Sequence, residues 1–289
     1  GEEFISGAPL PLTDGVVGPD GALYFLTGGR RLESDLYRVY YGDNSLPNDP
    51  LPVTELTNTQ KIRRQLESFH GVKNPAAVNF AWPYLKDADR FIRYAARIAI
   101  ENQPVEDWYN KLLNEKDPVI LTHAAIANAR KGVAGTGKAV VGLLAKVDFT
   151  KLTEPQQLDL LRAIELNFIR LGDPDTETKK LVSAALSPSY PAKTNSLNRE
   201  LSKLLVYIDA PKAVEKTMTL LATAKDDAPA QKSISESSDL ILRNPQYGMD
   251  IASMLSKVPP AQQTWYANVL SQAKNGWTPA HHAGPWHGA

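Results

Sequence analysis

The chain has 289 residues, 43% of them hydrophobic and 22% charged, a balance that builds a folded core and excludes wholesale disorder. Thirty-two basic side chains are matched by 32 acidic ones and no long single-sign run occurs, which sets nucleic acid aside as a partner, because phosphate binding needs a basic excess. The absence of cysteine excludes disulfides, thiolate metal sites, iron–sulfur clusters, a cysteine nucleophile and covalent haem attachment within these residues, and the apolar runs are far shorter than the roughly 20 residues that cross a bilayer.

The first residues, Gly1-Glu2-Glu3-Phe4, carry no Met and no signal-peptide core, so the sequence reads as a processed piece or a fragment. Residues 1–42 have a β pattern. Val16 and Val17 precede the turn Gly18-Pro19-Asp20-Gly21, with Pro at its second position, and a strand over Ala22 to Thr27 follows. After Gly28 and Gly29, Leu36 to Tyr40 alternates as a further strand. Phe4, Leu23, Phe25, Leu36, Val39 and Tyr41 are more apolar positions than such a hairpin buries against itself, so Phe25 or Tyr37 is expected to be covered by other structure.

Residues 43–58 are rich in Pro, Asn and Asp and read as a linker. From Thr59 to Lys274 the character changes: apolar residues recur at helical spacing, broken by Pro, Gly, Asp and Asn. The spacing predicts helices over 59–70, 75–85, 88–102, 105–115, 118–131, 136–147, 154–171, 175–186, 196–208, 211–223, 229–243, 247–257 and 260–273, with no strand among them. Asp117 before Pro118 and Thr153 before Pro155 mark starts. Arg93 to Ala99 lines up with Thr122 to Asn128, and Leu158 to Ile164, Leu201 to Ile208 and Trp265 to Leu270 recur at separations near a helical-repeat period. The expected fold is therefore mainly α, a HEAT-like α-solenoid of antiparallel pairs over 59–274, with a C-terminal tail over 275–289.

Several residues invite a chemical reading. Gly132 to Lys138 has the spacing of a phosphate-binding loop, but Ala139 stands where magnesium coordination needs Ser or Thr and no strand precedes it, so an interhelix loop is expected. His281, His282 and His287 are close enough to be weak candidate metal ligands, although the Gly and Pro residues around them read as a loose tail without a supporting carboxylate. His70 and His123 lie in helical patterns and read as structural, His70 as a cap on helix carbonyls. Asp14, Asp20, Arg30, Arg31 and Arg38 cluster in the β segment. Arginines there can bind an anionic cofactor in a propeller channel, or simply pair with turn carboxylates, which their positions favour. No set of nucleophile, base and orienting acid can be assembled, so no catalytic residue is assigned.

The run Pro9 to Arg31 with Asp35 to Tyr41 resembles the closing blade of β-propellers related to the soluble pyrroloquinoline-quinone sugar dehydrogenases. More narrowly, the chain resembles large multidomain bacterial proteins, of the planctomycete and verrucomicrobial type, in which a membrane-bound-dehydrogenase-like propeller is followed by HEAT repeats and a c-type cytochrome. Leu66 to Gly71, Ala81 to Glu101, Leu158 to Gly172, Leu197 to Pro211 and Asn275 to Pro279 carry the same resemblance, and the tail after Pro279 departs from it. It implies a periplasmic or extracellular location and protein partners, a propeller and a cytochrome c. It also implies that PQQ and haem c belong to the parent protein and not to this chain. The chain would be its connecting and scaffolding segment; the alternative is a non-enzymatic interaction solenoid in a cell-envelope assembly or filament.

Overall fold

The computed structural model describes residues 4–7, 10–29, 33–40, 55–226 and 260–278. It is mainly helical with a small N-terminal sheet, and it divides into two units, each treated by itself below.

The sheet has three antiparallel strands in the order β1 (Leu12–Val17), β2 (Leu23–Thr27), β3 (Leu36–Val39). The β1–β2 turn is the one expected: Gly18 N–H donates to Ala22 O and Gly21 N–H to Gly18 O, and Gly21 has φ +73°, a conformation that glycine takes without strain. Pairing of Gly15 and Tyr37 with Phe25 places the latter at the centre of one sheet face, where its ring stacks on Tyr37 with centroids 4.9 Å apart. Phe25 is buried, with the Tyr37 ring of its own sheet stacked on it, whereas Tyr37 keeps 40% of its surface exposed. The sequence misses most of β1, because Thr13, Asp14 and Gly15 are poor strand formers held there by the pairing with β2.

Eleven α-helices are described in the second unit: α1 (Asn58–Glu67), α2 (Ala77–Ala81), α3 (Arg90–Glu101), α4 (Val105–Leu113), α5 (Pro118–Lys131), α6 (Thr136–Leu144), α7 (Glu154–Leu171), α8 (Thr176–Leu186), α9 (Asn195–Tyr207), α10 (Ala213–Thr223) and α11 (Ala261–Ser271). The expected limits of the fifth and seventh helices are those observed, because both starts are strongly capped. Asp117 accepts from the amides of Val119 and Ile120, and Thr153 forms a reciprocal capping box with Gln156. The expected 75–85 helix instead passes from α2 into a 3₁₀ turn, Trp82–Lys86, where Pro83 has no N–H to continue the ladder. The expected 59–70 helix ends three residues early in a turn closed by Gly71 at φ +78°. Predicted helices over 229–243 and 247–257 lie outside the described residues, as do residues 43–54 of the linker.

The odd-numbered helices form a row in which α1 packs on α3, α3 on α5, α5 on α7, α7 on α9 and α9 on α11. A second row runs alongside, α4 on α6 and α6 on α8, and contacts the first between successive neighbours. The core lies between the rows. Ala95, Ala96 and Ala99 of α3 and Ala124, Ala125 and Ala127 of α5 are buried where these two helices pack. α5 is the centre of the unit: every residue from Ile120 to Ala129 is buried, including Thr122, His123 and Asn128. Asn128 donates to Asn167 Oδ1, and Asn167 donates to the carbonyls of Ala125 and Ala163, so the polar groups between α5 and α7 are tied across the interface.

Candidate functional site

The first row of helices carries most of the buried charge. Glu101, at the end of α3, is 2% exposed at its side chain; it forms an ion pair with Arg97 at 3.2 Å and accepts a hydrogen bond from Arg130 of α5 at 2.6 Å. Two helices on, Glu165 of α7 is 5% exposed and lies between Arg162 at 3.3 Å and Lys203 of α9 at 2.9 Å, with Glu200 on the same ammonium at 2.6 Å. Burial, with Glu200 nearby, pushes the Glu165 carboxyl above the usual range, and Lys203 opposes the shift. In each case a carboxylate that would be costly to bury alone is held by cations from its own helix and the next one in the row.

His123 of α5 lines a small pocket with Pro118, Val119, Thr122, Leu152, Gln156 and Asp159. Its Nε2 lies 3.8 Å from Asp159, too far for a charge-assisted hydrogen bond. Burial, reinforced by Arg93 and Arg97, lowers its pKa to about 4, so it is neutral at physiological pH. The same burial raises the Asp159 pKa, against the pull of those two arginines. It belongs to the buried stretch of α5 from Ile120 to Ala129. His70 is structural in a different way: its Nε2–H donates to the carbonyl of Ala95 at 2.9 Å, tying the turn after α1 to α3 instead of capping its own helix.

Of the Gly132–Lys138 segment, Gly132 to Gly135 form the loop between α5 and α6, with Gly135 at φ +91°, and Thr136 to Lys138 are the first turn of α6. It borders a cleft of about 140 Å³ that includes Asn167, Gly172, Asp173 and Asp175. Lys138 Nζ donates to Asp175 at 2.6 Å, and that contact, with the Thr178 amide, holds the Asp175 carboxyl far below the usual range. The lysine is thus spent on a carboxylate, and Asp173 adds a second negative charge where a phosphate would have to sit.

In the sheet, Asp20 accepts from Tyr24 Oη at 2.7 Å and from Arg38 at 3.1 Å, and Asp14 accepts from the Gly15 amide. Asp20 thus has the turn and pairing role expected of it, whereas Asp14, also expected in a turn, lies in β1 and pairs with Leu26. Arg30 and Arg31 lie outside the described residues, as do His281, His282 and His287. Among the described residues no group of three or more His, Asp or Glu side chains is arranged to hold a metal. No helix among them is long and apolar enough to cross a membrane.

Comparison with protein-family models, with curated proteins and with solved structures gives no match.

Sequence reasoning missed the charge clusters. Arg93 and Arg97 with Glu101 are spaced at four residues within α3 and so share a face. Phe91 and Tyr94 flank them, 53% and 56% exposed, and that combination of helical spacing and exposed aromatics was the readable signal.

Proposed function

We propose that the helical unit is a HEAT-like α-solenoid that acts as a connecting and scaffolding segment, holding other protein domains in place and carrying no active site of its own. The observation that supports this best is a set of polar contacts spaced by about one repeat. Lys86 reaches Asp117 across 31 residues, Arg130 reaches Glu101 across 29, Lys138 reaches Asp175 across 37, Lys179 reaches Asp209 across 30 and Tyr207 reaches Asp173 across 34. Each ties one helix pair to the next in sequence, which is the nearest-neighbour logic of a solenoid, in which a repeat is stable only when stacked on its neighbours.

The resemblance of Pro9 to Arg31, and of the later segments, to the propeller–HEAT–cytochrome proteins extends this reading to an extracytoplasmic, haem-containing dehydrogenase-like parent. Its PQQ propeller would oxidise a sugar or alcohol, its cytochrome c would accept the electrons, and this chain would set their separation. The sheet would be the last blade of that propeller. Sequencing the gene on both sides tests this: a complete propeller upstream and a CxxCH motif downstream are expected. An isolated reading frame would overturn it in favour of a free-standing interaction solenoid of the cell envelope.

A further inference from the structure

The segment that follows α11 is fastened to the rest of the helical unit through one side chain. Asn275 Nδ2 donates to Asp209 Oδ1 at 3.0 Å, and Asp209, in the turn between α9 and α10, also accepts from Lys179 of α8 at 3.0 Å. Burial raises the Asp209 pKa, but Asn275, Lys179 and Lys274 outweigh it and hold the carboxyl below its ordinary range. The next residue, Gly276, has φ +87°, and a Cβ built there would stand 3.0 Å from Val214 Cγ2 of α10, so both backbone and packing call for glycine. The fold thus sets a donor amide directly before a glycine, and of all the asparagines only Asn275 has this neighbour. Both residues are exposed, and among the described residues nothing accepts from the Gly276 N–H.

We propose that Asn275 is a site of spontaneous deamidation, and that the reaction unlatches the segment after α11 from Asp209. The Gly276 amide nitrogen attacks Asn275 Cγ; the N–Cγ bond forms, the Cγ–Nδ2 bond breaks, and Nδ2 leaves as ammonia with the proton of the attacking nitrogen. Water then opens the succinimide, at Cγ to give aspartate or at the backbone carbonyl to give isoaspartate, so water is the sole co-reactant. Glycine favours the attack because no side chain shields its nitrogen, and an exposed segment outside the helices can reach the geometry required. The bond to Asp209 restrains the amide, so the reaction draws on the fraction of molecules in which that bond is open. Either product lacks the N–H that Asp209 accepts and puts a second carboxylate beside it. Lys179 and Lys274 offset part of that repulsion, so the loss falls on the latch and leaves the packed helices in place. Isoaspartate also lengthens the main chain by a methylene, which displaces Gly276 from Val214 and Trp277 from the Ala273 carbonyl to which its indole N–H donates.

The test incubates the folded full chain in mildly acidic and mildly alkaline buffer and follows every asparagine-containing peptide by mass spectrometry, with digestion kept acidic so that the cut peptides do not react. The peptide carrying Asn275 is expected to show the amide-to-acid mass change before any other, faster in the alkaline buffer because loss of the Gly276 N–H proton activates the nitrogen, and with a matching release of ammonia. Asn275→Gln should remove this signal. Hydrogen exchange reads the latch itself. The amides of Gln272 and Ala273 close the end of α11 on the carbonyls of Val269 and Leu270, and in Asn275→Asp they should exchange about fivefold faster, the effect of losing one surface hydrogen bond, while those of α9 keep the parent's rates. Circular dichroism and melting confirm that each variant is folded. The proposal is overturned if Asn275 stays intact while other asparagines react, if it converts only in the urea-unfolded chain, or if Asn275→Asp leaves exchange at Gln272 and Ala273 unchanged.

Discussion

The sheet and the helical unit solve the problem of burial differently. All six residues of β1 are exposed, Leu12, Val16 and Val17 among them at 60% or more, and in the strands only Phe25 and Thr27 are buried. The helical unit instead buries a continuous core from Leu66 to Ala213, joined by Val269 of α11. A three-stranded sheet contributes little stability of its own, whereas stacked helix pairs bury each other's apolar stripes at every step. The difference teaches that the hydrophobic free energy of this molecule sits in the helices, and that the sheet's exposed apolar side chains are a surface and not a core.

The largest test of that contrast lies at Trp108 of α4, which is fully buried and whose indole N–H has no partner among the described residues. Trp108→Ala should cost about 3–5 kcal/mol in urea unfolding, and Trp108→Phe much less, because no hydrogen bond is lost with the indole. A cost for Trp108→Ala below that of sheet substitutions would reverse the comparison.

The next effect is pH-dependent. His123 has an ordinary pKa near 6.5 unfolded and about 4 folded, so between those values the unfolded chain binds more protons. Stability contributed by this group is present above pH 6.5 and lost as pH falls to 4, about 3 kcal/mol in all at 1.36 kcal/mol per pH unit. Asp159, with its raised pKa, works in the opposite direction, favouring the folded chain as it takes up a proton. Urea midpoints at pH 7 and pH 4.5 for the parent and for His123→Asn separate the two, and the variant should lose less on acidification. An equal loss in both would place the acid sensitivity elsewhere.

Glu101→Ala should cost about 1–3 kcal/mol, less than a fully enclosed pair, because it strands Arg97 at 18% exposure but leaves Arg130 half in water. Asp175→Ala removes the cap that accepts from the Thr178 amide and should cost about 1 kcal/mol by thermal melting. At the small end, Val16→Ala and Leu36→Ala in the sheet should each change stability by less than about 0.5 kcal/mol, since both side chains are already two-thirds exposed. A larger cost would mean that the sheet's outer face is covered.

Legibility in the sequence followed the range of the forces. Helices with strong local signals, Asp117-Pro118 and Thr153 with Gln156, have the limits expected of them, since a cap depends on residues three or four apart. The capping box of Thr57 with Gln60 was equally local and, if used, would have started α1 one residue earlier. Pro83 was visible too, but whether it kinks, ends or tightens a helix depends on what packs above it. Within the candidate site, the four-residue spacing of Arg93, Arg97 and Glu101 was readable. Its partner Arg130 was not, because the contact joins helices 29 residues apart.

By itself, then, the sequence determined the helical character of the described residues from Thr59 onward, the caps at Asp117 and Thr153 and the β-turn at Gly18 to Gly21, all consequences of periodicity and short-range chemistry. Only the tertiary structure decided that Lys138 faces Asp175, that Glu101 is enclosed by arginines from two helices, and that Phe91 and Tyr94 stand outside the core. Those outcomes turn on which helices become neighbours. Burial and Coulomb energies depend on distance in space, and a local pattern leaves that distance open until the rows have packed.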